Sequence, residues 1–456
     1  MKKYLSTELS PKLAHLFRVG VLVFGVTFQS QAQEALTLPQ AIERMLQNNL
    51  NIKQGMLNVE TSDVNLRQSK AAMLPSLNAV SSNNLSFGRS QDPTTYQIVN
   101  QKLYQGSGSI GTSVDLFGGF SKVNQIRQNK LLLAGEQSNL EKIKNDLVLN
   151  VVISYMDVVY NEDLLKTSRQ QLEVAQQTLK RESALLDVGN KTMADVSQVK
   201  AQVATAELNV TNAQNDLNIS YLTLSQLMEM GSEPNAFKVV APTVAEIEVA
   251  RTNYKVSDVY EQALKTYPDI RLAALNTQAA EKGIDIAKAS YYPRISLDAG
   301  LGSSYSYIFN YSLPQDRFST QVNDRFNQYI GLSLQIPIFN GLTAKSNVKR
   351  ARISYENYKI QEQLTKNNLN KVIAQAVTDL SAAESRYTST QNTYQAQKDA
   401  FFVIEQRYQV GLVNSLDYNT AITNRNKAEI DFIQAKYDLL FRSKVIDYYL
   451  GKQIAF

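Results

Sequence analysis

Two carboxylates stand where chemistry would first be sought. Asp195 and Asp417 each follow a glycine, Gly189 or Gly411, by six residues. A carboxylate so placed can attract cations, or it can simply favour the first turn of a helix. Little else on the chain is reactive. There is no cysteine and no tryptophan, and the only histidine is His15. Cysteine nucleophiles and the usual zinc ligand sets are therefore excluded, and imidazole acid/base catalysis would rest on His15 alone. Carboxylate or lysine chemistry stays formally open, but no constellation of such residues is evident. The sequence predicts no enzyme and no cofactor.

His15 itself falls in a segment with another purpose. Lys2, Lys3, Lys12 and Arg18 precede a short apolar run from Val19 to Phe28, followed by Ser30-Gln31-Ala32. Basic, apolar and small-residue regions in that order make a secretory signal, expected to span 1–32. The apolar run is about half the ~20 residues that cross a bilayer as a helix. Without the leader the charge is nearly balanced, which gives no reason to expect nucleic acid as a partner. No later run of 18 apolar residues occurs, so an exported chain that crosses a membrane must do so with strands.

The elements that carry Asp195 and Asp417 are long. Ser121 to Asp187 covers 67 residues with no proline and one glycine, Gly135, and Leu342 to Val410 has neither. Proline costs about 3 kcal/mol inside a helix, so both stretches read as unbroken rods, each reaching about 100 Å. Two such rods cannot surround one compact core and instead describe a tube or stalk. Gly189 and Gly411 accept the left-handed geometry of a helix end, so the chain is expected to reverse there. The returning helix of the first rod carries Val196, Val199, Val203, Ala206, Val210, Ala213 and Leu217, a heptad seam. The second keeps it as Tyr418, Ala421, Ala428, Phe432, Ala435 and Leu439, interrupted by Arg425.

The chain is built from two copies of one unit. Leu36 to Leu77 aligns with Tyr254 to Ile295 without a gap, placing Glu43 on Glu261, Leu57-Asn58 on Leu275-Asn276 and Pro75 on Pro293. Beyond a loop difference, Phe117 meets Phe339, Gly119 meets Gly341, Val188-Gly189 meets Val410-Gly411 and Asp195 meets Asp417. The expected organisation is a first repeat over 33–231, an irregular connector over 232–255 and a second repeat over 256–456. Each repeat predicts a short helix, a longer helix ending before Pro75 or Pro293, two extended segments, the rod, and the return helix.

The extended segments alternate with period two. Ile295, Leu297, Ala299, Leu301, Ser303, Tyr305, Tyr307, Phe309 and Tyr311 share one face, with Ser296, Asp298, Gly300, Gly302, Ser304, Ser306, Ile308 and Asn310 on the other. Phe326, Ile330, Leu332, Leu334, Ile336 and Ile338 repeat the pattern, and Leu77, Ala79, Leu85, Phe87, Tyr104, Ile110, Val114 and Leu116 give a weaker version in the first repeat. A half-buried soluble sheet would alternate in the same way, but the length and the tyrosines near one end suit an outer-membrane strand with an aromatic girdle. Four strands cannot close a barrel alone, because open edges in lipid leave backbone groups unpaired. Copies of the chain would have to pool their strands. A periplasmic coiled-coil adaptor or structural stalk, with its sheet in water, is the other reading these elements allow.

With these elements in place, nearly the whole chain beyond the leader resembles the TolC family of outer-membrane efflux and secretion channels. The likeness rests on the duplication and three local patterns. Ala71-Ala72-Met73-Leu74-Pro75 and Ala289-Ser290-Tyr291-Tyr292-Pro293 resemble the family's entry into the first strand of each repeat. Leu116-Phe117-Gly118-Gly119 and Ile336-Pro337-Ile338-Phe339-Asn340-Gly341 resemble its strand-to-helix swivels. Arg407-Tyr408-Gln409-Val410-Gly411-Leu412, followed by Asp417, resembles its periplasmic tip.

The resemblance implies a mainly α protein whose four strands join a shared 12-strand barrel in a homotrimer, above a coiled-coil tunnel. It implies an outer membrane location with a periplasmic extension. It also implies a passive exit duct for small molecules or proteins, served by a periplasmic adaptor and an inner-membrane pump. Val188, Gly189, Val410, Gly411 and Leu412 would contact the adaptor. Tyr408, Asp417 and Asp195 would lie at the entrance constriction, and Pro75, Pro293, Gly118, Gly119, Pro337 and Gly341 would form the swivels. Some members carry an arginine where this chain has Val413 and a second aspartate where it has Thr420.

Overall fold

The computed structural model describes residues 34–91, 96–231, 237–242, 254–309, 311 and 314–452; the expected leader lies outside them. In chain order the elements are β1 (Glu34–Leu36), α1 (Leu38–Asn48), α2 (Leu50–Ala71), β2 (Ser76–Gln91), β3 (Ile98–Gly118), α3 (Ser121–Asp187) and α4 (Met193–Leu227). Then follow β4 (Phe237–Val239), α5 (Val256–Thr266), α6 (Pro268–Lys288), a 3₁₀ turn (Ala289–Tyr291), β5 (Arg294–Phe309), α7 (Phe318–Asp324), β6 (Asn327–Gln335), α8 (Thr343–Gln409) and α9 (Ser415–Tyr449). Among the described residues, no helix is long and apolar enough to cross a membrane.

Both rods run unbroken for 67 residues. Their upper ends begin the same way, with two consecutive left-handed residues: Gly119 and Phe120 (φ 63° for both), and Gly341 and Leu342 (φ 62° and 63°). The first junction is also a close approach, since a Cβ on Gly119 would lie 2.8 Å from the Ala289 carbonyl oxygen. At Gly341 nothing lies within 4 Å of that position. The Gly119 junction therefore packs on the second repeat, while the Gly341 junction stands open.

The four long strands form one antiparallel sheet in the order β2-β3-β5-β6. Register carries the alternation across it. Leu77 pairs with Thr112, Thr112 with Ala299 and Ala299 with Ile330, so the apolar residues fall on a single face. A bulge between Asp115 and Phe117 absorbs the extra residue Leu116 and keeps that phase. β6 stops at Gln335, before Pro337, which has no N–H to offer the ladder. Ile336 and Ile338, expected within the strand, lie beyond it.

β6 pairs with β5 only as far as Gly302. Above that row two glutamine side chains replace a strand. Gln321 accepts from the Ser306 N–H (3.1 Å) and donates to its carbonyl (3.0 Å). Gln315 does the same at Ile308, with distances of 2.7 and 2.6 Å. Alternate residues of a strand present their backbone groups to the same edge, which is why these two amides, two strand residues apart, can close it.

The helices continue the order of the sheet. Beneath the strands, α2 packs on α3, α3 on α6 and α6 on α8; lower down, α4 packs on α3, α3 on α9 and α9 on α8. Val196, Val199, Val203, Ala213 and Leu217 are buried along the expected seam, as are Tyr418, Ala428, Ala435 and Leu439. Arg425, which interrupts the seam, pairs with Glu429 at 3.3 Å. The connector is not irregular throughout: Phe237–Val239 runs parallel to Glu34–Leu36. Tyr155 from the rod holds that pair, accepting from the Val240 N–H at 3.2 Å and lying 3.0 Å from the Leu36 carbonyl.

Candidate functional site

The two helical reversals lie side by side at the lower end of the molecule, about 100 Å from the sheet at 1.5 Å per residue. Each closes as a Schellman motif. Gly189 (φ 76°) donates to the Leu186 carbonyl at 2.9 Å and Asn190 to that of Leu185 at 2.8 Å. Gly411 (φ 79°) donates to Tyr408 at 3.1 Å and Leu412 to Arg407 at 2.9 Å. The return helices then start on side-chain caps. Thr192 accepts from the Asp195 N–H at 3.2 Å while Asp195 accepts from the Thr192 N–H at 3.0 Å, a reciprocal capping box. Asn414 accepts from the Asp417 N–H at 2.8 Å.

These caps separate the two aspartates. The Thr192 hydroxyl and amide, with a contribution from Ser415, hold the Asp195 carboxyl down at about 2. Asp195 is thus committed to its own helix start and to the neighbouring turn. Asp417 is exposed. Tyr408, expected beside it, is turned inward and only 6% exposed.

Tyr408 is part of a cluster joining the two repeats. Its ring stacks on Tyr418, with centroids 4.3 Å apart and planes at 13°. Lys191, from the first turn, donates to the Tyr408 hydroxyl at 3.2 Å and to the Ser415 hydroxyl at 2.9 Å. The same ammonium lies 3.4 Å from Glu182, whose side chain is fully buried. Arg181 adds a second cation, 3.6 Å from that carboxylate and 4.9 Å from the Tyr408 ring centroid. Burial works against the Lys191 charge, but the Tyr408 hydrogen bond and the Glu182 carboxylate outweigh it and raise its pKa. One turn supplies the charges and the other the aromatic faces and hydroxyls.

Around this cluster the tip is apolar and exposed. Val188 and Met193 on the first turn, and Val410, Leu412 and Leu416 on the second, are each at least 65% exposed. Val188, Val410 and Leu412 are the expected tip residues; Met193 and Leu416 join them, and of the inward cluster the sequence points to Tyr408 and Tyr418 but not to their partners Lys191, Arg181 and Glu182. One signal was available: in the repeat alignment Glu182 stands opposite Ile404, a charge where its twin is apolar.

The residues expected to form swivels lie at the upper ends of the rods. Pro75 and Pro293 directly precede β2 and β5, Gly118 is the last residue of β3, and Pro337 follows β6.

The family model for outer membrane efflux proteins matches residues 41–229 and 259–452. The chain is 23% identical over 442 residues to the outer membrane efflux protein BepC of Brucella suis, covering 96% of this chain and 91% of that protein. It is 21% identical over 440 residues to the outer membrane protein TolC of Escherichia coli, covering 95% and 85%. Among solved structures, the outer membrane protein VceC of Vibrio cholerae superposes with a TM-score of 0.75 at 20% identity, covering 91% of this chain and 96% of that one.

Proposed function

The chain belongs to the outer membrane efflux protein family, and from that premise we propose that three copies assemble into one duct crossing the outer membrane and the periplasm. It is an exit channel of the outer membrane, passive and without catalysis of its own. The observation that carries the assembly is that every layer of the chain ends in an unpartnered edge. Among the described residues, β2 and β6 each lack a neighbour on one side. Beneath them α2 exposes Leu50, Leu57 and Val64 at heptad spacing, and α8 exposes Ile353, Ile360 and Leu364. Joining α8 of one copy to α2 of the next would bury both stripes, while β6 would pair with β2.

Internal symmetry supports the same seam. Within the chain, Gly119 packs on Ala289; the repeat alignment turns that contact into Gly341 against Ala71 of the partner subunit. Three four-stranded sheets give a twelve-stranded barrel, within the size range of single-wall outer-membrane barrels.

The tips are the natural docking point for a periplasmic adaptor, through Val188, Gly189, Val410, Gly411 and Leu412, with an inner-membrane pump behind it. Asp417 lines the entrance and Tyr408 and Asp195 brace it from within. BepC and TtgC of Pseudomonas putida are described as efflux proteins, and another relative, of Aggregatibacter actinomycetemcomitans, as a toxin and drug export protein. Small-molecule efflux is the reading we favour for this chain.

The test is direct. Detergent-purified protein is expected to have the mass of a trimer by native mass spectrometry and to form discrete conducting events in planar bilayers. A monodisperse monomer without conductance would refute the duct.

A further inference from the structure

The apolar face of the sheet is not uniform. Near the ends of the strands distant from the helices, the rows Leu85–Tyr104–Tyr307 and Phe87–Lys102–Phe309 cross it. Lys102 sits between two rings, 4.3 Å from the Phe309 centroid and 5.3 Å from that of Phe87. Arg89 lies on the same face, two residues beyond Phe87, and both cations are exposed. A lysine and an arginine on a lipid-facing surface are costly unless a counter-charge meets them there.

Towards the helices, this face dips where the row Ser81–Gly108–Ser303 presents only small side chains. The segment after β5 folds over the dip and leaves a groove of about 630 Å³, lined by Ala79, Ile110, Leu301, Phe318, Val322 and Phe326. Tyr104 and Tyr305, with ring centroids 6.1 Å apart, stand at the groove's end nearest Lys102. Lys102 is two strand residues from Tyr104, about 7 Å along the chain.

We infer that this face holds a phosphorylated lipid of the outer leaflet, with an acyl chain in the groove and its headgroup phosphate on Lys102 and Arg89. The inference rests on the membrane placement of the sheet. Charge complementarity selects the headgroup, since each basic residue near an anionic lipid surface strengthens binding severalfold. The groove selects a chain over a bare anion, because its surface is mainly apolar, with Asn83 and small serines among the aliphatic and aromatic walls, and its volume suits a lipid segment. The rings flanking Lys102 hold the ammonium at the level where headgroups lie.

Two variants separate the parts. Lys102→Gln with Arg89→Gln removes the charges from an exposed surface. Gly108→Leu fills the dip, and a Cβ there meets nothing within 4 Å, so the strand should fold unchanged. Trimers in nanodiscs of phosphatidylethanolamine, with or without bisphosphorylated lipid A, would be assayed by native mass spectrometry for retained lipid. Wild-type protein is expected to retain lipid A in preference to phosphatidylethanolamine. The double charge variant should bind it about thirtyfold more weakly, with Lys102→Arg close to wild type, and Gly108→Leu should also lose retention. Unchanged lipid A retention in either the charge variant or Gly108→Leu would overturn the site. Single-channel conductance is expected to be the same in all variants. Its loss in wild-type protein would instead strike at the duct itself, independently of lipid retention.

Discussion

The Lys191 ammonium of the first turn reaches the Tyr408 hydroxyl of the second at 3.2 Å, across 217 residues of chain. The contact ties the tips of two helical hairpins that share no covalent connection near that end. It also gives the fully buried Glu182 carboxylate a counter-charge. Removing one partner of a buried pair typically costs about 3–5 kcal/mol, whereas replacing both by apolar groups is often neutral; Arg181, 3.6 Å from the same carboxylate, holds the cost here below that range. Lys191→Met should therefore loosen the tips, seen as faster hydrogen exchange across 405–418, and Lys191→Met with Glu182→Leu should recover most of the protection. Equal exchange in Lys191→Met and wild type would show that the contact holds nothing together.

The start of α4 should respond to acid. The Asp195 carboxyl is depressed to about 2 by its capping box, and a free aspartate titrates near 3.9. The ionised form is thus favoured by folding, so its contribution is complete above about pH 4 and disappears as pH falls towards 2. Thr192→Ala should remove about 1 kcal/mol from this helix end and flatten that acid dependence, measured by exchange of the amides from 193 to 199. A dependence as steep as in wild type would exclude the box as its source.

Gly411 is held at φ 79° with no atom within 4 Å of a would-be Cβ. Gly411→Val therefore meets no clash, only the backbone penalty of about 1–3 kcal/mol for a left-handed β-branched residue. Substrate export by cells should fall, and Gly411→Asn, which tolerates that geometry better, should fall less. Full export by the valine variant would contradict the reversal's role in docking.

Three copies of Asp417 facing one entrance would concentrate negative charge there. Asp417→Asn is expected to change single-channel conductance and weaken block by divalent cations in planar bilayers. If neither moves, Asp417 is a solvated first-turn residue and does not border the path.

A single charge tests the proposed seam between copies. Leu57 and Ile360 are 62% and 59% exposed on the two edge helices, and burying each would contribute about 1.5–3 kcal/mol. Ile360→Lys should shift detergent-purified protein from trimer to monomer in native mass spectrometry. Trimers as stable as wild type would place the seam elsewhere.

Much of this architecture was legible because it is repetitive. The absence of proline over 67 residues outlined α3, and flanking glycines marked where it starts and ends. Period-two alternation from Ile295 located β5, whose ladder ends at Phe309, short of Tyr311, and Pro337 explains why β6 is shorter than its apolar run. Hidden from a reading along the chain was whatever joins distant segments with few residues. β1 and β4 pair over three residues about 200 positions apart, too short for any periodicity. α7 is seven residues long, between two strands. Gln315 and Gln321 look like ordinary loop residues until the edge they close is seen. At the tip, Tyr408 was legible as a member of a motif but not as a buried one, because its partners Lys191 and Glu182 belong to the other repeat.

Those two glutamines have a wider consequence. Above Gly302 they satisfy the margin of β5 in place of β6, while β5 stays paired with β3 up to Phe309. Changes in the β5–β6 connection outside the two glutamines can then accumulate without loosening the strands beside it, so in the proposed duct this outer loop can diversify while the pipe keeps its bore.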